Sequence, residues 1–311
     1  MTSSKNLQPL TFNLGLIGYP LGHSLSPRIH NAALRALGLE GEYRLYPAGP
    51  HPQPLSLREM EVMSEGMYTI EHLLLEMRTG QLHGLNVTIP HKQNVIQYLD
   101  ALTPAAQAIG AVNTIFRQGD QLIGDNTDAP GFWDDIVRCL NVPMSRPLDA
   151  LILGAGGSAR AVVYALLTQG CRVTIAARRV EQAEELCEQF SEFSNQLSVS
   201  SLTRESLTAP HSAFSIHHSA LLVNTTPLGM SPNPHASPWP VEIPFPENAA
   251  VYDLVYNPRE TLLVRQARIA GLKAVTGLGM LIEQAALAFE RWTDLEAPRT
   301  VMRKALDAPT K

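Results

Sequence analysis

The segment that most constrains the fold is a short apolar run followed by a glycine-rich turn and an amphipathic stretch, at residues 150–170. Residues 150–153 are too few for a helix and suit a buried strand. Beyond Gly154, apolar residues recur at helical spacing as far as Gly170, which is placed to end a helix in the left-handed conformation. A second apolar run at 172–177 completes the pattern of a βαβ unit.

The small residues of this turn have the spacing G-x-G-x-x-A, which is typical of a dinucleotide-binding loop. Gly154 allows a tight turn, Gly156 lets the backbone approach a pyrophosphate, and Ala159 lets the helix pack closely on the strand. The N-terminus of the helix offers N–H groups and a partial positive charge to an anion. We therefore expect the loop to bind a dinucleotide through Gly154, Ala155, Gly156, Gly157, Ser158 and Ala159.

The composition excludes several classes of protein. The chain has 311 residues, a net charge of −5, 45% hydrophobic and 17% charged residues, which is ordinary for a globular protein. This length suggests two domains of about 150 residues each. The negative charge and the lack of a basic run argue against a nucleic-acid partner. No apolar stretch approaches the ~20 residues of a membrane helix, and we see no signal peptide.

Cysteine and histidine usage predicts no metal site. The three cysteines, Cys139, Cys171 and Cys187, show no metal or redox spacing, so we expect reduced thiols in a cytoplasmic protein. The histidines of the segment 215–218 have no second ligand cluster elsewhere in the sequence. We interpret them as surface residues.

Two serines precede the first predicted helix. Ser26 followed by Pro27 is typical of a helix start, with the serine as cap and the proline at the first helical position. Capping does not explain Ser24, and two hydroxyls beside a helix N-terminus can also hold a carboxylate. Both interpretations of the pair stay open from the residues alone.

Residues 84–92 contain a second polar set. Leu85, Val87 and Ile89 alternate with Asn86 and Thr88, which predicts a strand with one buried face. Pro90 ends this strand, and the next helix is predicted to begin at Lys92 and to run to about residue 99.

Lys92 and Asp128 are candidate partners. A cation in the first turn of a helix is electrostatically unfavourable, so Lys92 is either an ordinary surface lysine or a catalytic one. Asp128 closes the polar cluster 125–128, which is also typical of a turn before Pro130. Asn113 lies between these stretches, in the strand predicted at 111–116.

The C-terminal half continues the predicted sheet with strands at 220–223, 250–256 and 274–275. Ligand groups gather at the carboxyl ends of such strands, which places Thr226, Met230 and Tyr256 near a cofactor. The last helix opens at Gly277 and has Gln284 on its apolar face. A buried glutamine needs hydrogen-bond partners, so Gln284 either reaches a ligand or bonds to nearby backbone. Further helices are predicted at 64–78, 132–140 and 181–190, with loops at 47–54 and 143–147.

Seven stretches, taken in order, resemble the shikimate dehydrogenase family. They are GHSLSP at 22–27, NVTIPHK at 86–92, GAVNT at 110–114, GDNTDAPGF at 124–132, GAGGSAR at 154–160, NTTPLGM at 224–230 and GLGMLIEQAA at 277–286. The resemblance implies an α/β protein of two domains. Residues 1–127 and 277–311 would form a substrate domain with a mainly parallel sheet, to which the C-terminal helix returns. Residues 128–276 would form a Rossmann-type dinucleotide-binding domain.

The resemblance also implies an activity and its residues. The activity is the reversible NADP-dependent reduction of 3-dehydroshikimate to shikimate, in the shikimate pathway of aromatic amino-acid biosynthesis. Lys92 and Asp128 match the catalytic pair. The matching substrate ligands are Ser24, Ser26, Asn86, Thr88, Asn113, Tyr256 and Gln284. The cofactor ligands are the loop residues named above together with Arg178, Arg179, Thr226, Met230 and Gly277.

The segment after the second strand departs from the family pattern. The family usually shows Asn-Arg-Thr with another arginine three residues on, which grips the 2′-phosphate of NADP. Here Ala177 replaces the asparagine, Arg178 is kept, Arg179 is added and Gln182 replaces the second arginine. An NAD enzyme usually has an acidic side chain at this strand tip, and none is present. We expect a preference for NADP over NAD that is smaller than the full motif would give.

Two other functions stay open. One is a quinate/shikimate dehydrogenase of broader substrate or coenzyme specificity. The other is a non-catalytic NADP-binding regulator, against which the retention of both Lys92 and Asp128 argues. We expect small-molecule ligands only, and either a monomer or a homodimer.

Overall fold

The computed structural model describes residues 11–49, 68–140, 148–203, 206 and 220–307. The chain forms two compact units, Met1–Thr127 with Ala285–Lys311, and Asp128–Gln284. The chain therefore re-enters the first unit at Ala285, whereas the sequence predicts Gly277. The difference arises because the first turns of the helix Leu278–Thr293 lie within the second unit, where Gly279 lies against Asp135.

Each unit contains a six-stranded sheet. The strands are β1 Thr11–Gly18, β2 Glu40–Pro47, β3 Gly84–Val87, β4 Ala101–Leu102, β5 Thr114–Gln118, β6 Gln121–Asp125, β7 Asp149–Leu153, β8 Arg172–Ala177, β9 Leu197–Ser201, β10 Leu221–Asn224, β11 Ala250–Asp253 and β12 Lys273–Thr276.

The described α-helices connect these strands. They are α1 Ser26–Ala36, α2 Ile70–Thr79, α3 Pro104–Ile109, α4 Asp128–Leu140, α5 Gly157–Thr168, α6 Val180–Gln189, α7 Leu262–Ile269, α8 Leu278–Thr293 and α9 Arg299–Asp307. Two 3₁₀ helices, Asn94–Tyr98 and Ser191–Gln196, complete the set.

The sheet of the first unit has the order β2-β1-β3-β5-β6-β4. Three of its five pairings are parallel, β1 with β2, β1 with β3, and β4 with β6. Pairings of β5 with β3 and with β6 are antiparallel. Apolar side chains of β1, β3 and α2 form the core, among them Ile17, Leu73, Met77 and Leu85, all at most 1% exposed. Burial of such side chains drives the packing of α2 on the sheet.

The sheet of the second unit is entirely parallel, with the order β12-β11-β10-β7-β8-β9. If the strands of this unit are numbered 1 to 6 in chain order and read from the β9 edge, the order is 3-2-1-4-5-6, which is that of a dinucleotide-binding Rossmann fold. Strand order reverses between β7 and β10, and ligands of such sheets bind at that reversal, beyond the carboxyl ends of the strands. The predicted βαβ unit is confirmed by β7, α5 and β8, and Gly170 has a φ of 77°.

Two predicted helices differ from the observed ones. The helix predicted at 132–140 begins four residues earlier, at Asp128. Pro130 does not prevent this because it lies in the first turn, where the N–H groups have no partner within the helix. The helix predicted at 64–78 is α2, which begins at Ile70 after the cap Thr69, whose hydroxyl accepts from the His72 N–H at 3.2 Å. Residues 64–67, the loops at 50–54 and 143–147, and the histidines of 215–218 lie outside the described residues.

Several global features bear on function. Among the described residues, no helix is long and apolar enough to cross a membrane. In the same part of the chain, no group of three or more His, Cys, Asp or Glu is arranged to hold a metal ion. All three cysteines are free thiols.

Candidate active site

In the first unit, two turns meet at the carboxyl ends of β1 and β3. The Thr88 N–H donates to the Ile17 carbonyl at 2.9 Å, and the Tyr19 N–H donates to the Ile89 carbonyl at 2.8 Å. The predicted alternation of residues 85–89 is wrong. Strand β3 ends at Val87 and lies inside the sheet, so that all four of its residues are buried, whereas Ile89 is 65% exposed. Thr88 is half-buried in the turn beyond the strand.

The two serines stand at the start of α1. The interpretation of Ser26 as a capping residue is wrong, because Leu25 holds the cap position and no side chain caps this helix. Instead the Ser24 hydroxyl oxygen accepts from the Ser26 N–H at 3.3 Å. Ser26 is buried and Ser24 is half-buried. The Ser24 hydroxyl proton is not used in that bond and can be donated to an acceptor such as a carboxylate.

Asn86 and Asn113 belong to one buried hydrogen-bond network. The Asn86 Nδ2 donates to the Asn113 carbonyl at 3.0 Å and to Thr114 Oγ1 at 3.1 Å. The Asn113 Oδ1 accepts from Thr114 Oγ1 at 3.0 Å and from the Thr127 N–H at 2.8 Å. The Asn113 Nδ2 in turn donates to Thr127 Oγ1 at 3.0 Å. A buried and satisfied polar network of this kind fixes the orientation of its amides.

Lys92 does not lie in an α-helix, contrary to the prediction. It occupies a turn two residues before the 3₁₀ helix Asn94–Tyr98, and its side chain is half-buried. The electrostatic argument from a helix N-terminus therefore does not apply to it. Its backbone is held by the Val112 N–H, which donates to the Lys92 carbonyl at 2.8 Å, and the neighbouring His91 ring bonds to the Ala48 carbonyl at 2.8 Å.

Asp128 is the first residue of α4 and is buried. The segment leading to it is held by Asp125, whose Oδ1 accepts from the Asn126 N–H at 2.8 Å and from Thr103 Oγ1 at 2.7 Å. Arg291 donates to the other carboxylate oxygen of Asp125 at 2.9 Å. Residues 125–128 thus form a hydrogen-bonded segment that continues directly into α4, and not an isolated turn.

In the second unit, the glycine-rich loop stands at the strand-order reversal. Gly154 has a φ of 103°, and a Cβ built there would lie 2.8 Å from Thr226 Cγ2, so the loops after β7 and β10 touch at this point. Gly156 and Gly157 are exposed, and a Cβ at either would meet no atom within 4 Å. The loop therefore leaves space beside the N-terminus of α5, which suits the pyrophosphate of a dinucleotide.

The loop after β10 is shaped by Asn224 and Asp253. The Asn224 Oδ1 accepts from the N–H and the hydroxyl of Thr226, at 2.9 and 2.7 Å. The Asn224 Nδ2 donates to Asp253 Oδ1 at 2.8 Å, and Thr261 Oγ1 donates to the other oxygen at 2.6 Å. Burial raises the pKa of Asp253 to about 6, although these hydrogen bonds act to lower it.

The remaining predicted ligands of the second unit stand near strand ends. Arg178 and Arg179 follow β8 and are exposed, and Met230 is also exposed. Strand β11 ends at Asp253, so Tyr256 lies three residues beyond it and not within a strand as predicted; burial raises the pKa of its hydroxyl.

Gly277 lies directly before α8 and Gln284 lies within it. A Cβ at Gly277 would lie 2.4 Å from the Leu254 carbonyl oxygen, so only glycine allows this close approach. Gln284 is half-buried and not fully buried as expected, and its Nε2 donates to the Leu281 carbonyl at 2.8 Å.

Three family models match the sequence. They are the shikimate dehydrogenase substrate binding domain over residues 16–115, shikimate / quinate 5-dehydrogenase over 141–231, and the shikimate 5′-dehydrogenase C-terminal domain over 277–306. A relative from Salinibacter ruber, named shikimate dehydrogenase (NADP(+)), is 42% identical over 301 residues, which are 94% of this chain and 96% of that protein. The chain belongs to the shikimate dehydrogenase family.

Solved structures of the shikimate dehydrogenase family have the same fold. Shikimate 5-dehydrogenase from Thermus thermophilus, in complex with NADP(H) and shikimate, is 38% identical with a TM-score of 0.77, covering 95% of this chain and 98% of that one. Quinate dehydrogenase from Corynebacterium glutamicum, in complex with NAD, is 28% identical with a TM-score of 0.79, covering 96% and 98%.

In this member of the shikimate dehydrogenase family, two residues that support the site, Asn224 and Asp253, are not among the ligands predicted from the sequence. Asp253 falls inside the longer strand predicted at 250–256, and Asn224 is the first residue of the stretch NTTPLGM. The signal available for both was their position at the end of a buried strand, where a polar side chain has to find a partner.

Proposed function

We propose that this protein catalyses the reversible oxidation of shikimate to 3-dehydroshikimate with NADP, in the shikimate pathway. The observation that carries the proposal is the 42% identity, over 94% of this chain, to the Salinibacter ruber shikimate dehydrogenase (NADP(+)). The first unit binds the substrate and the second binds the coenzyme. The three free cysteines fit a reducing compartment, and we place the enzyme in the cytoplasm.

The second unit holds the coenzyme through the glycine-rich loop. The open space over Gly156 fits a pyrophosphate, which the N–H groups at the start of α5 would bind. When bound, NADP accepts hydride from the substrate carbon, and NADPH returns it in the reverse direction. Thr226, Met230 and Gly277 border this coenzyme, and the hydrogen bonds from Thr226 to Asn224 hold that side of the site in shape.

The exposed pair Arg178 and Arg179 binds the 2′-phosphate of NADP. Both lie directly after β8, where an NAD enzyme has an acidic residue. Two guanidinium groups attract a phosphate and can bind it in a fork. Gln182 adds no charge, so the preference for NADP over NAD rests on these two side chains.

The first unit binds the ring of shikimate by hydrogen bonds. Ser24 donates to the carboxylate, with Ser26 beside it. Asn86, Thr88 and Asn113 contact the ring hydroxyls, and the network that joins the two asparagines limits how their amides can turn. Tyr256 and Gln284 complete the set of proposed substrate ligands.

Lys92 transfers the proton of the reacting hydroxyl, and Asp128 orients Lys92 and the substrate. Oxidation of the alcohol releases one proton in addition to the hydride, and the amine of Lys92 accepts it; in the reverse direction the ammonium returns it to the new hydroxyl. The backbone hydrogen bond from Val112 to Lys92 fixes the main chain from which the Lys92 side chain extends. Rotation about the side-chain torsions of Lys92 then brings its amine to the substrate.

Replacing Lys92 tests this proposal. Loss of a general acid/base costs about 10²–10⁴ in rate, so Lys92→Ala should lower kcat with shikimate by that factor. Lys304, exposed on α9 in the same unit, gives a matched control, and Lys304→Ala should keep the wild-type kcat. Circular dichroism checks that both variants are folded. A folded Lys92→Ala enzyme with kcat within a few-fold of wild type would contradict the role of Lys92.

A further inference from the structure

Tyr43 is a buried tyrosine that two residues of α1 hold in place. It lies on β2 and is 1% exposed. The Asn31 side chain clamps its backbone, since Oδ1 accepts from the Tyr43 N–H at 2.8 Å and Nδ2 donates to the Tyr43 carbonyl at 3.1 Å. The His30 ring stacks on the Tyr43 ring at a centroid distance of 4.3 Å and an angle of 4°. The phenol is therefore fixed before any ligand binds.

The phenol determines which way the Asn86 amide points. The Asn86 Nδ2 faces the Asn113 carbonyl, which is only an acceptor, so the amide cannot be reversed without losing that bond. The Asn86 Oδ1 consequently faces Tyr43, whose hydroxyl donates to it at 2.8 Å. An amide oxygen has two lone pairs, so Asn86 can accept one further bond from a ligand hydroxyl.

We propose that Tyr43 is a positioning residue of the substrate site, because its buried phenol donates to Asn86 and so sets the orientation of this substrate ligand. This inference rests on the proposed function. Tyr43 contacts neither the reacting atoms nor the coenzyme. Its effect passes through Asn86, which it fixes as an acceptor for a ring hydroxyl of the substrate.

The substitution Tyr43→Phe tests the proposal. It keeps the ring and its stack on His30 but leaves the buried Asn86 Oδ1 without its donor. We expect KM for shikimate to rise about tenfold, because this amide is no longer held, with kcat within about twofold and KM for NADP unchanged. Tyr46→Phe is the matched control: it lies on the same strand but on the opposite face of the sheet, with its ring edge-on to Tyr68, and both KM values should stay at wild type.

A double-mutant cycle separates positioning from a purely structural role. In an Asn86→Ala background, adding Tyr43→Phe should change KM for shikimate by less than about twofold, because the residue through which Tyr43 acts is gone. Urea denaturation of each variant measures its stability. An unchanged KM in Tyr43→Phe, equal increases in both KM values, or an effect that adds fully to Asn86→Ala would overturn the proposal. If wild-type enzyme does not oxidise shikimate at all, the proposed function fails first and this inference falls with it.

Discussion

Gly156 offers a way to separate coenzyme binding from folding by adding one methyl group. Its φ of −84° and ψ of −171° are open to any residue, and a Cβ there would meet no atom of the protein within 4 Å. Alanine is a poorer N-cap than glycine by roughly 0.5–1 kcal/mol, and it gains about 0.4–1 kcal/mol by restricting the unfolded chain. We therefore expect Gly156→Ala to change the free energy of unfolding by less than about 1 kcal/mol.

The same methyl group would stand where the pyrophosphate approaches the backbone. Loss of one charge-assisted hydrogen bond costs about 1.5–3 kcal/mol, so KM for NADP should rise about 10- to 150-fold while KM for shikimate stays constant. Steady-state kinetics and urea unfolding measure the two effects. Gly154→Ala is the contrasting variant, because its φ of 103° and the contact with Thr226 should make it unstable as well. A stable Gly156→Ala enzyme with wild-type KM for NADP would refute the assignment of this loop.

Two further predictions concern the first unit. Because Ser24 is half-buried and its hydroxyl proton is not used in the bond from the Ser26 N–H, whereas Ser26 is buried, Ser24→Ala should raise the dissociation constant of shikimate more than Ser26→Ala, by about tenfold, as titration calorimetry can measure; equal effects would show that Ser26 also donates to the carboxylate. Burial lowers the pKa of His30 to about 3 from an ordinary 6.5. The unfolded chain then binds a proton that the folded one does not, so between pH 6.5 and 3 this group lowers stability as pH falls, by about 1.4 kcal/mol per pH unit. Urea unfolding of His30→Phe should show a correspondingly weaker loss in acid, and a pH dependence identical to wild type would contradict this reasoning.

The dinucleotide loop could be predicted because each of its determinants is local. The turn at Gly154 and the helix end near Gly170 follow from positive φ angles that glycine adopts readily, and the open backbone at Gly156 follows from its lack of a side chain. The period of the apolar residues marks strand and helix without reference to the rest of the chain. For this reason β7, α5 and β8 match the expected elements closely.

The environment of Lys92 could not be predicted in the same way. Pro90 does end the strand, but no local rule separates an α-helix from the turn and short 3₁₀ helix that follow. The helix predicted at 132–140 begins earlier than expected, at Asp128, because a proline disrupts a helix only beyond its first turn and Pro130 lies within that turn. Both errors concern where an element begins, which depends on the tertiary hydrogen bonds of the flanking turns.

The network around Tyr43 depends entirely on tertiary structure. The position of Tyr43 on β2 is compatible with an inward-facing side chain but does not indicate that its hydroxyl meets Asn86. His30 likewise fits the apolar face of α1 by spacing, although its ring nitrogens have no hydrogen-bond partner among the described residues. Such contacts join α1, β2 and β3, and only the assembled sheet brings those elements together.

The most direct test of the account is the initial rate of NADPH formation by the purified enzyme with shikimate, compared with quinate as substrate and with NAD as coenzyme. We predict a kcat/KM that is highest with shikimate and NADP, and at least about tenfold lower with NAD, as the loss of one charge-assisted bond to Arg178 or Arg179 implies. A higher kcat/KM with quinate would assign the protein to the other activity known in its structural relatives. No NADP reduction with either substrate would contradict the account.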